Sequence, residues 1–287
     1  FDEELLLFSE QSQFMVTGGA TLTASNISIN VTTEFEADKR VKPVGSGSNV
    51  FFTFNKGNFS GVREFFVASD TDTKKADDIT ANVPKFIPAN VFKLATSTTE
   101  NILIALSSDE DNALYVFQYY VAQNKRLQSA WHKWTYGTTT SDKILNIDFI
   151  ENTLFIVNER SDGVYLETID VSPALTDTGE TYLTHLDRKI NNTQITESYN
   201  AGTNQTTITL PYTINNTMKV VGRSGASNKA GQEIATVSQS GTSIVVSGDI
   251  TAQNFFIGEQ YEFEFQFSQQ FIQVADSVGS RISVKEG

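Results

Sequence analysis

The chain lacks several residues and patterns that define common protein classes. It has no cysteine, which excludes a disulfide framework and a thiolate site. Methionine occurs only twice, and alanine and leucine are too sparse for long amphipathic helices. No apolar run reaches the length of a membrane span, and no signal peptide is visible. The sequence therefore favours neither a helical bundle nor a membrane-spanning protein.

Positive charge is also scarce. The 287 residues carry 21 Lys and Arg against 34 Asp and Glu, for a net charge of −13. Tight binding to a phosphate backbone needs clustered basic residues, and no such cluster is present. A like-charged wall does, however, keep a polyanion from adhering as it passes. The charge thus excludes a strong nucleic-acid binder and permits a surface along which DNA moves.

Aromatic residues are plentiful, with 21 Phe and 9 Tyr, and they favour pleated β-structure. Strand-like runs recur with polar turns between them, which predicts an all-β fold of the sandwich or propeller type. A loose unit of three or four strands recurs, most clearly from Val91 to Tyr136, and the next unit starts at Ile144. The predicted strands are Glu4–Ser9, Gln13–Thr17, Asn49–Asn55, Arg63–Ala68, Val91–Ser97, Ile102–Ser107, Ala113–Ala122, Ile144–Ile150, Thr153–Glu159 and Gly163–Asp170.

The amino-acid composition changes near Pro173, and short strand-like segments rich in Asn, Ser, Thr and Gly follow. We therefore predict a β-propeller-like body at residues 1–188 and a smaller, β-sandwich-like platform at 189–287. Because Phe1 already lies in a strand-like run, we expect the body to be incomplete at its N-terminus. The clearest strand of the platform is Gln260–Ser268, where aromatic residues alternate with polar ones. This period of two predicts aromatics facing a core, and Glu262 and Glu264 facing outward.

The segment QSAWHKWTY, from Gln128 to Tyr136, holds both tryptophans and one of the two histidines. We interpret Trp131, His132 and Trp134 as a packed β-corner with the indole N–H groups bonded to backbone. The alternative is a sugar platform, because aromatic faces stack on sugars.

Acidic residues suggest metal sites or turns. Asp109, Glu110 and Asp111 fit a hairpin turn better than a calcium loop, since no glycine follows to bend the chain. A second stretch, interrupted by two lysines, favours a solvated loop over a metal site. Its acids are Asp70, Asp72, Asp77 and Asp78.

Two further groups have a catalytic and a structural interpretation. Glu262 and Glu264 are spaced like a glycosidase carboxylate pair, but an exposed acidic face is the favoured interpretation. His185 and Asp187 could form part of a catalytic site. We favour instead a structural Asp187–Arg188 pair that holds a strand or linker.

Many segments, taken in order, carry a family resemblance. They are FDEELLLFSEQSQFMV, KPVGSGSNVFF, VREFFVASDTDTKKADDIT, SAWHKWTYG, TLFIVNERSDGVYLETID, THLDRKI and FFIGEQYEFEFQFS. Together they resemble the tail tubular protein B, or tail nozzle protein, family of T7-like short-tailed phages. The resemblance extends from Phe1 to about Ser268, and it rests on the collinear order of the segments rather than on any one motif.

The resemblance implies a structural virion protein, a non-enzyme that requires no cofactor or metal. It implies a homo-oligomeric ring, a hexamer in the family, that contacts the tail adaptor protein and tail fibres. Genomic DNA would pass through its lumen without specific binding. Such a protein would reside in the phage tail after assembly in the host cytoplasm. Trp131, Trp134 and Arg188 match positions in the family that we interpret as structural. The alternative function is a carbohydrate-binding or glycan-hydrolysing β-propeller tail protein that acts on the host envelope.

Overall fold

The protein is described by a computed structural model. The residues described are 5–18, 21, 23–68, 73–122, 125–136, 142–173, 175–224, 229–266, 271–274 and 277–281. Apart from one 3₁₀ turn at Asn192–Gln194, all regular structure in these ranges is β-strand, which confirms the all-β prediction. Within them, no helix has the length and apolar character needed to cross a membrane.

The chain forms two compact units. Unit 1 comprises Phe1–Leu183, Leu210–Asn216 and Ser240–Ser243, and unit 2 comprises Thr184–Thr209, Thr217–Gln239 and Ile244–Gly287. The chain first passes between the units at Leu183 and Thr184, and two short later segments return to unit 1. The predicted division between residues 188 and 189 stays a prediction.

Unit 1 contains four antiparallel sheets, which follow one another along the chain. Sheet A has β1 (Leu5–Phe8), β2 (Gln13–Thr17) and β3 (Ser28–Thr33). Sheet B has β4 (Val44–Ser46), β5 (Asn49–Lys56), β6 (Phe59–Ala68), β7 (Thr73–Asp78) and β8 (Ile87–Pro88). Sheet C has β9 (Val91–Ser97), β10 (Ile102–Ser107), β11 (Glu110–Ala122) and β12 (Lys125–Thr135), and sheet D has β13 (Lys143–Ile150), β14 (Thr153–Arg160) and β15 (Gly163–Asp170).

Three apolar clusters join these sheets in sequence order. Phe52 and Phe65 of sheet B pack with Leu6 and Phe8 of sheet A. A second cluster joins sheets B and C; its strand residues include Phe51, Val62, Leu94, Leu103, Tyr115 and Phe117. A third joins sheets C and D; its strand residues include Ile104, Leu114, Val116, Ile144, Leu154 and Ile156. The four sheets therefore form a stack in the order A, B, C, D, with a buried apolar layer at each interface.

The predicted unit from Val91 to Tyr136 is confirmed as sheet C, whose strands pair in the order β12, β11, β10, β9. The next unit begins one residue before the predicted Ile144. The acidic residues Asp109, Glu110 and Asp111 belong to the β10–β11 hairpin, where Ser107 pairs with Glu110, so the turn interpretation is confirmed.

Unit 2 contains two four-stranded sheets and a hairpin. Their strands are β16 (Asp187–Asn191), β17 (Thr196–Asn200), β18 (Gln205–Thr209), β19 (Met218–Gly222), β20 (Glu233–Ile234), β21 (Thr236–Ser240), β22 (Ser243–Ser247), β23 (Phe255–Glu259), β24 (Phe271–Val274) and β25 (Ser277–Arg281). One sheet has the order β16-β23-β19-β20 and the other β17-β18-β22-β21, while β24 pairs with β25. Buried positions alternate along β18, β19 and β22, whereas all five residues of β23 are buried. Each large sheet therefore has at least one face in a core.

The predicted strand Gln260–Ser268 is wrong over residues 260–266, and positions 267 and 268 lie outside the described ranges. The strand at this point is β23, which ends at Glu259. Tyr261, Phe263 and Phe265 face solvent rather than a core. Alternation shows that one face of a segment suits burial, but burial also requires a neighbouring strand or layer.

Candidate interaction surfaces

The tryptophans lie within β12, an edge strand whose residues pair with β11 on both sides of them, rather than at a β-corner. Residues three apart on a strand point to opposite faces, so the two indoles enter different cores. Trp131 packs in the layer between sheets B and C and donates its indole N–H to the Ile79 carbonyl at 2.9 Å. Trp134 packs in the layer between sheets C and D, with its ring 5.6 Å from that of His132. Neither indole is part of an open platform on which a sugar could stack.

Partial burial lowers the pKa of His132 below its ordinary value. The imidazole is therefore neutral at pH 7. Its neighbours in the register are Val116 opposite and Trp134 two residues along. These surroundings give His132 a packing role rather than a chemical one.

A buried ion pair joins sheets B and C. Arg126 on β12 donates to both carboxylate oxygens of Glu64 on β6, at 2.5 and 2.6 Å. The Glu64 side chain is 5% exposed, and it also accepts a hydrogen bond of 2.6 Å from Asn49. The guanidinium lies 4.6 Å from the centre of the Tyr119 ring. Sequence reasoning missed this pair, because the two residues are 62 positions apart.

The outer face of sheet A is apolar and open. The register places Leu5 and Ile29 opposite Val16, and Leu7 and Val31 opposite Phe14, so all of these side chains share one face. Four of them are at least 42% exposed: Leu5, Leu7, Ile29 and Val31. We call this surface the Leu5 face. Sheet A is thus apolar on both sides, but among the described residues it packs against a neighbouring sheet on only one.

The outer face of sheet D is partly apolar, and the register also places Asp148, Glu159 and Asp170 on it. Val157 pairs with Leu166, while Val164 and Ile150 lie on the same side of the sheet. Leu166 is 68% exposed, Ile150 64% and Val164 61%. We call this surface the Leu166 face. Both ends of the four-sheet stack therefore present apolar surface of the kind that elsewhere in the stack is buried between sheets.

In unit 2, Arg188 lies at a β-bulge where two residues of β16 oppose Gly258 of β23. Its backbone has a φ of 46°, and its side chain forms a buried ion pair with Glu259 at 3.1 Å. The predicted partner of Arg188 was Asp187, and that pairing stays a prediction. A Cβ at Gly258 would lie 2.6 Å from the Asp187 carbonyl oxygen. The bulge therefore requires glycine at this position.

Residues 260–266, which we call the arm, are exposed at every position. Glu262 and Glu264 are exposed, and they lie in a segment outside any described sheet. Phe263 is 84% exposed and Phe265 65%. Aromatic exposure of this degree on consecutive alternate residues indicates a surface meant for contact.

The remaining acidic candidates lack the features of a reaction centre. Asp77 and Asp78 lie in β7, where Asp78 pairs with Lys56 at 2.8 Å; Asp70 and Asp72 lie outside the described residues. His185 and Asp187 are both exposed. A cleft of about 350 Å³ contains Glu10 and Asp38, but each is paired with a neighbouring lysine or arginine. In the part of the chain that the structure describes, no group of three His, Cys, Asp or Glu residues is placed to hold a metal ion.

The fold and these surfaces define a class: an all-β structural module that exposes apolar contact surfaces. Comparison with known proteins gives the family. The model of the bacteriophage nozzle protein family matches residues 1–287, and the chain belongs to that family. The tail tubular protein gp12 of Escherichia phage T7 is 28% identical over 291 residues, covering 98% of this chain and 36% of that protein. The chain thus spans about a third of the length of this curated relative.

A solved structure of Kluyveromyces lactis Hsv2p aligns with 71% of this chain and 65% of its own, at 12% identity and a TM-score of 0.34. Family membership confirms the resemblance stated from the sequence. The chain is a structural protein of a phage tail, and the prediction that it is not an enzyme is confirmed by that membership.

Proposed function

We propose that the protein is a subunit of the phage tail tube, or nozzle, and that copies of it surround the channel through which the genome is ejected. The observation that carries this proposal is the match of the family model to all 287 residues. The protein would reside in the virion tail, after assembly in the host cytoplasm.

We also propose that unit 1 is part of a propeller-like body. Propellers arrange antiparallel sheets around an axis, with apolar layers between neighbouring sheets. The stack A to D has three such layers, and its Leu5 and Leu166 faces offer two more. A further sheet on each face would bury that apolar surface. Unit 2, with one core face on each large sheet, would be the sandwich-like platform.

The third part of the proposal is a closed homo-oligomeric ring, a hexamer by family resemblance, that contacts the tail adaptor protein and the tail fibres. An all-β subunit with many edge strands gains from closure, because a ring leaves no terminal edge unpaired. The net charge of −13 suits a wall along which DNA slides without binding.

Native mass measurement of the intact protein tests the ring. The expected result is one closed species whose mass is a whole-number multiple of the subunit mass, with or without the adaptor. A protein that stays monomeric at micromolar concentration in the presence of the adaptor would contradict the proposal.

A further inference from the structure

The arm begins where β23 leaves its sheet. Gln260 still donates its backbone N–H to the Thr217 carbonyl at 2.8 Å, and residues 261–266 belong to no sheet. Tyr261, Phe263 and Phe265 alternate with Glu262 and Glu264, and all of these side chains are exposed. The arm therefore has the alternating sequence of a strand but belongs to none of the described sheets.

Such a segment is suited to adding a strand to a sheet edge. Aromatic residues have a high preference for strands, and main-chain hydrogen bonds supply affinity when an extended segment pairs with an edge. At ~200 Å² per ring, the exposed fractions of Tyr261, Phe263 and Phe265 leave roughly 400 Å² of aromatic surface in water. Covering that surface would stabilise the assembly that covers it.

We infer that the arm pairs, as an added strand, with β21 of a second copy of this chain in the ring. This inference rests on the proposed ring. A standard interface buries about 800 Å² per partner. The three rings supply about half of that area on the donor side, and each copy in a ring would both give one arm and receive one.

The choice of β21 follows from its position and charge. It is an edge strand of its sheet, and none of its five residues, Thr236–Ser240, is charged. Val237 is 50% exposed on it. Glu262 and Glu264 would therefore meet no like charge there.

Geometry and charge also indicate that the β21 paired with the arm belongs to a second copy of the chain. The arm is exposed in its own chain, so its own β21 does not cover it. Copies that each carry −13 repel one another at long range, so a contact made by apolar side chains and backbone pairing suits them. Because the arm and β21 are different surfaces, the contact is head-to-tail, which closes into a ring when the rotation allows.

Photo-crosslinking tests the contact in the intact protein. A benzophenone amino acid replaces Phe263, and irradiation is followed by peptide mass analysis. The expected product is a crosslinked dimer in which position 263 of one copy is joined to residues 236–240 of another. Crosslinks confined to one copy, crosslinks to a different segment, or no crosslink in an assembled ring would overturn the inference.

Substitutions supply a second readout. Phe263→Asp should raise the concentration needed for ring assembly at least tenfold and leave the melting temperature of the monomer unchanged, because the Phe263 ring is 84% exposed. The matched control, Glu262→Gln with Glu264→Gln, should assemble normally. If the wild-type protein forms rings and the aspartate variant forms them equally well, the arm inference fails while the proposed function stands. If the wild-type protein forms no ring, both fail.

Discussion

At the scale of single residues, His132 shows how packing sets a titration. Burial lowers its pKa in the folded state, so the unfolded chain binds more protons as the pH falls through about 6.5. Stability linked to His132 is therefore fully present above that pH and is lost below it. We expect the free energy of unfolding to fall between about pH 7.5 and 5.5. The His132→Gln variant should show a smaller decrease in urea titrations at each pH, and an equal decrease would contradict the assignment.

Gly258 is a second residue whose role is set by its surroundings. A Cβ at this position would meet the Asp187 carbonyl oxygen at 2.6 Å and the Leu186 Cβ at 2.8 Å. Gly258→Ala should therefore destabilise the protein by about 1–3 kcal/mol, the usual cost of overpacking. Gly45→Ala is the matched control, since its Cβ would meet only the Asn49 carbonyl oxygen, at 4.0 Å. Similar melting temperatures for the two variants would contradict the close approach.

At the scale of elements, the Glu64–Arg126 pair is an ionic connection between sheets B and C. Arg126→Met should cost about 3 kcal/mol, the low end of the range for breaking a buried pair, because it leaves the Glu64 carboxylate uncompensated. Arg126 retains 27% exposure, which places the effect at that end. The double variant Arg126→Met, Glu64→Gln should be more stable than the single one in denaturant unfolding. If the double variant is the less stable of the two, the charge of Glu64 is not the cause.

Strands could be predicted where the apolar pattern of a segment matches the burial that its neighbouring strands give it. Gln13–Thr17 and Val91–Ser97 have the bounds that the sequence predicts, because alternating or continuous apolar runs end at turns. Ser28–Thr33 was missed although Ile29 and Val31 alternate with polar residues. Thr73–Asp78 was missed for a different reason: its charged residues give no strand signal, and pairing with β6 makes it a strand.

At the scale of the whole molecule, family and structural role could be predicted from ordered segments, but the contact surfaces could not. The two tryptophans were expected to pack, and they lie in two different apolar layers. The Leu5 and Leu166 faces, in contrast, depend on which sheets stack and which sheets end the stack. The arm was predicted from its alternating aromatics to face a core, but Tyr261, Phe263 and Phe265 are exposed.

The interior of a conduit must release its cargo, so we expect weak binding to duplex DNA. With a net charge of −13 and no basic cluster in the sequence, few counterions can be displaced from the DNA. Titration of labelled duplex should give no sub-micromolar affinity at physiological salt. Tight binding with a steep salt dependence would reveal a basic face and contradict the passive channel.

The central claim is that copies of this protein surround the path of the genome, and imaging of the phage particle by cryo-electron microscopy tests it most directly. The expected result is a closed ring of this protein in the tail. The sheet stack of unit 1 should be recognisable in each subunit, and the lumen along the tail axis should be wide enough for duplex DNA. Density for the protein only at the periphery of the tail, with the axis lined by another chain, would contradict it.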